Sequence, residues 1–165
     1  MSPYREFREV RKGAASLKLE AERAAGEGKR LLMASVHELE RLADKMERGT
    51  VTSGKALDDA FARAHRALAR HHHLRAAESW NKKETVRAGH ALKAAAIHLE
   101  QGLTWIGQEG ETDGAAVGTR TRRLAEKLID GVGCAPAEVG AGIDAIGAAI
   151  EKLGQTVEPA SGLED

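Results

Sequence analysis

Aromatic residues are scarce in this chain, at 3% of 165, and cysteine occurs once, as Cys134. A core with so few rings has to be assembled from Ala, Leu, Ile and Val, small side chains that suit closely packed helices better than a sandwich of sheets. One cysteine permits neither an internal disulfide nor a CxxC metal site. There is no excess of one charge: 25 Lys and Arg face 25 Asp and Glu. A balanced chain has no whole-protein field to steer it onto nucleic acid, and the small basic group Arg120, Arg122 and Arg123 is offset by Glu111, Asp113 and Glu126. No apolar run approaches the roughly 20 residues of a membrane span, and the opening MSPYREFREVRKG lacks the apolar centre of a signal peptide. The expectation is a cytoplasmic protein without a membrane or nucleic-acid partner. Strand-like alternation is missing as well.

What is present is helical periodicity. Phe7, Val10, Ala14, Leu17, Ala21 and Ala24 predict a first helix, and Gly26 and Gly28 predict a break, since each costs roughly 1 kcal/mol inside a helix relative to Ala. A second helix is predicted over residues 29–48, stopping at Gly49. Thr52 or Ser53 can cap a third, running to about Glu78 with Leu57, Phe61, Ala64, Leu68 and His71 as its inner stripe. Ser79, Trp80 and Asn81 then read as a connection short enough to require an antiparallel neighbour. Residues 82–107 form the central helix, with Ala88, Leu92, Ala95, Leu99, Leu103 and Ile106 on its buried face. Residues 115–130 predict a further helix, and Pro136 suits the first turn of the last one. That last helix carries the most regular seam of the chain: Val139, Ile143, Ile146, Ile150, Leu153 and Val157. The predicted architecture is all-α, an antiparallel up-and-down four-helix bundle over 29–157. An N-terminal helical extension covers 1–28 and a tail 158–165.

Off the buried face of the central helix lie His90 and, one turn on, Lys93, within VRAGHALKAAA. The H-x-L-K order resembles the phosphoacceptor helix of histidine-containing phosphotransfer domains, which reads A-H-x-L-K-G-x-A. Phe61, the turn around Trp80 and then His90 follow in the family's order, and the resemblance spans about residues 57–100. Ala94 stands where the family has glycine, and Gly89 where it has alanine. The resemblance implies that His90 is the phosphoacceptor, attacking the aspartyl phosphate of a docked receiver domain. Lys93 would be its electrostatic helper, screening the phosphoryl oxygens. Such a protein is a two-component signalling module that is not itself an enzyme and uses no cofactor.

The run His71-His72-His73 cannot chelate one metal as a unit, because consecutive residues sit about 100° apart on a helix. The spacing places His71 near the core, His72 on its margin and His73 in water. His65 and His72, one heptad apart, can share a metal only with a ligand from another helix or chain. No histidine has another four residues on and no Glu-x-x-His occurs, so ferritin-like and zincin sites are not indicated. Arg66 and His71 fit an R-x4-H spacing that resembles the helical HEPN ribonucleases, which implies phosphate stabilisation by the arginine and proton transfer by the histidine. Trp105, on the His98 side of its helix, reads as a packed or interface side chain. Three functions therefore stand after the sequence. One is an interaction module transferring phosphate through His90, its partner a receiver domain or another helical protein. Another is a bundle that self-associates into a homo-oligomer. The third is a chain using histidines of the 65–73 segment for metal or catalysis.

Overall fold

The structure is a computed structural model, and it describes residues 3–50, 53–108, 110 and 112–158. Among these residues there are six helices and no strand: α1 (Pro3–Glu22), α2 (Gly26–Glu47), α3 (Gly54–Asn81), α4 (Thr85–Trp105), α5 (Asp113–Asp130) and α6 (Pro136–Thr156). None of the helices is long and apolar enough to cross a membrane.

The helix ends follow from local chemistry. The Ser53 hydroxyl accepts from the Ala56 amide at 3.1 Å, and the Thr112 hydroxyl does the same for Ala115 at the start of α5, each satisfying an otherwise orphaned first-turn donor. Pro136 opens α6 where its missing amide costs nothing. Two predicted breaks shift. The first falls at residues 23–25, and Gly28 lies inside α2, buried. The second falls at residues 82–84, because α3 continues to Asn81. There Lys83 adopts φ 61°, the Glu84 amide donates to Ser79 O, and the Lys83 amide donates to Trp80 O. These nested bonds form a Schellman turn, which ordinarily uses glycine at the left-handed position. The sequence has lysine there, so the stop is not visible in it.

Two apolar clusters meet at α3. One joins Leu92, Leu99, Leu128, Ile146 and Ile150 to Ala62, Ala69 and Ala76 of α3. The other joins Val10, Leu17, Leu32, Val36 and Leu39 to Ala60, Ala64 and Ala67 of the same helix. The stripe expected on α3 is the second of these faces; the Ala62–Ala69–Ala76 stripe is an additional one. Alanine on two faces lets helices approach α3 from both sides. The predicted seam of α6 is buried throughout, from Val139 to Val157. Phe61 stacks on Trp105 and His65 meets His98, the inverse register expected of helices α3 and α4 joined by a short turn.

Candidate functional site

Four of the seven histidines fall on one stretch of α3, and the helix distributes them. His73 turns toward α6. Its Nε2 donates to Ile143 O at 3.0 Å, and its Nδ1 accepts from the Arg70 guanidinium at 3.3 Å. An arginine only donates and a carbonyl only accepts, so both ring nitrogens have assigned roles. Gly147 of α6 makes the room, since a Cβ there would lie 2.7 Å from His73 Nε2. The expectation that His73 faces water is therefore corrected: α6 packs over it.

His65, His71 and His72 lie on the other side, and α4 adds His98 to them. The Nδ1 atoms of His65 and His98 are 3.1 Å apart, one donating to the other. The His98 ring also lies parallel to that of His72, with centroids 5.7 Å apart and 4° between planes. His72 and His71 follow at 4.9 Å. The result is a row of four imidazoles, His65–His98–His72–His71. Glu20 of α1 closes its inner end. One donor atom from each of Glu20, His71 and His72 lies within 4.8 Å of the other two.

The electrostatics keep these rings neutral. Burial pushes His65 and His72 down to about 4, helped for His65 by His98, and for His72 by His71, His98 and Arg75. Burial also lowers His71, opposed by Glu20, and lowers His98, opposed by a Gln101 hydrogen bond and Glu20. A neutral imidazole is the form that binds a metal ion. His71 is 3% exposed, and its fully buried Nε2 meets no hydrogen-bond partner among the described residues. A buried nitrogen in that condition costs on the order of 1–3 kcal/mol.

Two imidazoles and one carboxylate suit zinc, iron, cobalt, nickel or copper, whereas magnesium and calcium prefer oxygen alone. A tetrahedral ion with bonds of about 2.1 Å needs donors roughly 3.4 Å apart, so an approach of an ångström or so completes the set.

The other candidates are dispersed. His90 is exposed near the start of α4 and Lys93 is half-buried. His90 shares a shallow groove with Arg75, Lys82, Arg87 and His72. Gly89 does not open space for a partner. It is buried under α5, where a Cβ would lie 2.9 Å from Ile129 and 3.0 Å from the Ala125 carbonyl oxygen. Arg66 turns to Glu151 of α6 at 3.2 Å, while His71 packs on Gly28 of α2, so the R-x4-H pair is not assembled. Trp105 stacks on Phe61 at 4.8 Å. His65 and His72 do find a histidine on a second helix, through His98. Glu20 and His98 were not singled out by the sequence. The usable signal for His98 was the short α3–α4 turn: counting outward equally along both helices, as Phe61 pairs with Trp105, puts it opposite Leu68, between His65 and His72.

No family model, no curated protein and no solved structure matches this chain. The donor group stands on its geometry.

Proposed function

We propose that this chain is a metal-binding helical protein in which Glu20, His71 and His72 hold one divalent transition-metal ion, with His98 and His65 ranked behind them. The observation that carries this reading is the convergence of three donor atoms within 4.8 Å, from two helices distant in sequence; one of the three residues, His71, also has a buried Nε2 with no partner among the described residues. An ion bound by Glu20, His71 and His72 ties α1 to α3. The proposal is one of binding and assigns no reaction. Its setting is a cytoplasmic protein in which α3–α6 form an antiparallel bundle that carries the α1–α2 pair.

The test is calorimetric titration of chelator-treated, untagged protein with Zn²⁺ and Co²⁺. One ion per chain is expected, with affinity reduced at least a hundredfold in His72→Ala and in Glu20→Gln, and unchanged in His37→Ala, whose side chain is exposed on α2. Stoichiometric binding that survives both site substitutions would place the ion elsewhere and sink the proposal.

A second reading, phosphotransfer through His90, is favoured by the exposure of that ring one turn from Lys93. Phosphorylated receiver domains would be incubated with wild type and His90→Gln. An acid-labile phosphate on wild type alone supports it, and no transfer across a broad panel removes it.

A further inference from the structure

Beside the donor group, α1 and α3 do not close on each other. A cleft of about 500 Å³ runs between them, floored by Leu39 of α2 and walled by Leu17, Phe61, Ala64 and Leu68. Its size and apolar lining are those of small-molecule sites. Its polar lining is Ser16, Glu20, Arg23 and His65, and Glu20 belongs to both the cleft and the donor group. Gly13 lines the end away from Glu20, where a Cβ would sit 3.7 Å from both Leu39 and Phe61.

Gly13 gives the cleft its second argument. It lies in the interior of α1, where glycine costs roughly 1 kcal/mol against alanine. Packing does not demand it, because a Cβ would make only ordinary contacts there. The missing side chain keeps that end of the cleft open. Residues 13 and 20 are about 10 Å apart along the helix axis, about the length of an extended eight-carbon chain.

Glu20 and Arg23 specify the head group. Glu20 is 4.0 Å from Arg23, whose side chain is 75% exposed. Once Glu20 ligates a cation, Arg23 loses that partner and faces the cleft mouth with an unpaired positive charge. Two imidazoles and one carboxylate also leave a tetrahedral ion one open position. Cation and guanidinium together call for an anion able to bind both, and a carboxylate does so.

We propose that the α1–α3 cleft binds a medium-chain monocarboxylate, its alkyl chain lying from Leu68 to Gly13 and its carboxylate completing the coordination of the metal while pairing with Arg23. This inference rests on the metal reading above and names the ligand of that same site.

The experiment uses the full chain loaded with Co²⁺, whose visible absorption reports its ligands, titrated separately with octanoate, acetate and octan-1-ol. Octanoate is expected to bind at least tenfold more tightly than either control and to shift the cobalt bands. Gly13→Leu should bind Co²⁺ as wild type does and lose octanoate affinity tenfold or more. Gly13→Ala, the milder substitution should the first fold poorly, should lose a smaller factor. Arg23→Gln should narrow the preference for octanoate over octan-1-ol. If Co²⁺ binds normally but octanoate does no better than acetate, or is indifferent to both Gly13 substitutions, the cleft assignment fails and the metal site stands. If wild type takes up no Co²⁺, the metal reading fails and this inference goes with it.

Discussion

The two sides of α3 treat the same residue in opposite ways. Toward α6, His73 is half-buried and both its nitrogens are engaged, by Ile143 and Arg70. Two residues earlier and toward α1 and α2, His71 is more deeply buried yet keeps Nε2 without a partner among the described residues. Burial does not separate a structural histidine from a chemical one; the fate of its nitrogens does. Around His73 the α6 side is filled to contact, with Gly147 yielding its side chain to the ring; further along, a cleft of about 350 Å³ runs past Arg66 and Glu151, smaller than the one of about 500 Å³ between α1 and α3. At His73 the ring has completed its interactions, and at His71 a nitrogen is left over.

The sharpest way to break this comparison is to make one substitution on both sides. His73→Leu leaves the Arg70 guanidinium and the Ile143 carbonyl without their ring partner and is expected to cost roughly 2–3 kcal/mol. In a chain of this size that lowers Tm by about 4–12 °C. Metal affinity should stay as in wild type. His71→Leu instead replaces an unpartnered imidazole by an apolar side chain of similar bulk, so the metal-free protein should be unchanged or slightly more stable while metal binding is lost. Thermal denaturation with and without chelator measures both. Equal destabilisation by the two substitutions would show that the faces do not differ in this way.

Acid tests the same contrast at smaller amplitude. An imidazole whose folded-state pKa lies below its unfolded value takes up a proton more readily in the unfolded chain, so acidification favours unfolding. His65 and His72 are held at about 4 against the ordinary 6.5. Their contribution is fully present above about pH 6.5 and is lost as pH falls toward 4. Allowing for solvent screening of these partly exposed rings, metal-free protein should lose roughly 1–2 kcal/mol across that window. Urea denaturation at pH 7, 5.5 and 4.5 reads the loss, and the His65→Gln, His72→Gln double variant should flatten it.

The helices were legible because their signals are local. The 139–157 seam and the face from Ala88 to Leu103 need only a 3.6-residue period, and both are buried as the period requires. Features that depend on tertiary register were not legible. Periodicity puts His73 in water; that it meets Ile143 instead depends on how closely α6 approaches. Glu20 looks like any exposed helix glutamate until α1 lies beside α3. The left-handed Lys83 shows the local failure: without glycine at that position the turn gives no mark, and the α3–α4 boundary was expected three residues early.

Glycine supplies the smallest contrast and the finest one. Gly13→Ala on the open side adds a methyl at ordinary contact distance from Leu39 and Phe61 and removes backbone freedom from the unfolded chain. A gain of about 0.5–1 kcal/mol is expected, a rise of about 1–4 °C in Tm. Gly147→Ala on the filled side adds the same methyl 2.7 Å from His73 Nε2, so helix propensity is overridden by a displaced ring and a broken bond to Ile143. The two substitutions should move Tm in opposite directions under identical conditions. If Gly13→Ala destabilises, α1 sits closer to α3 in solution than the cleft allows, and the spare volume assigned to a ligand is already taken by the protein's own packing.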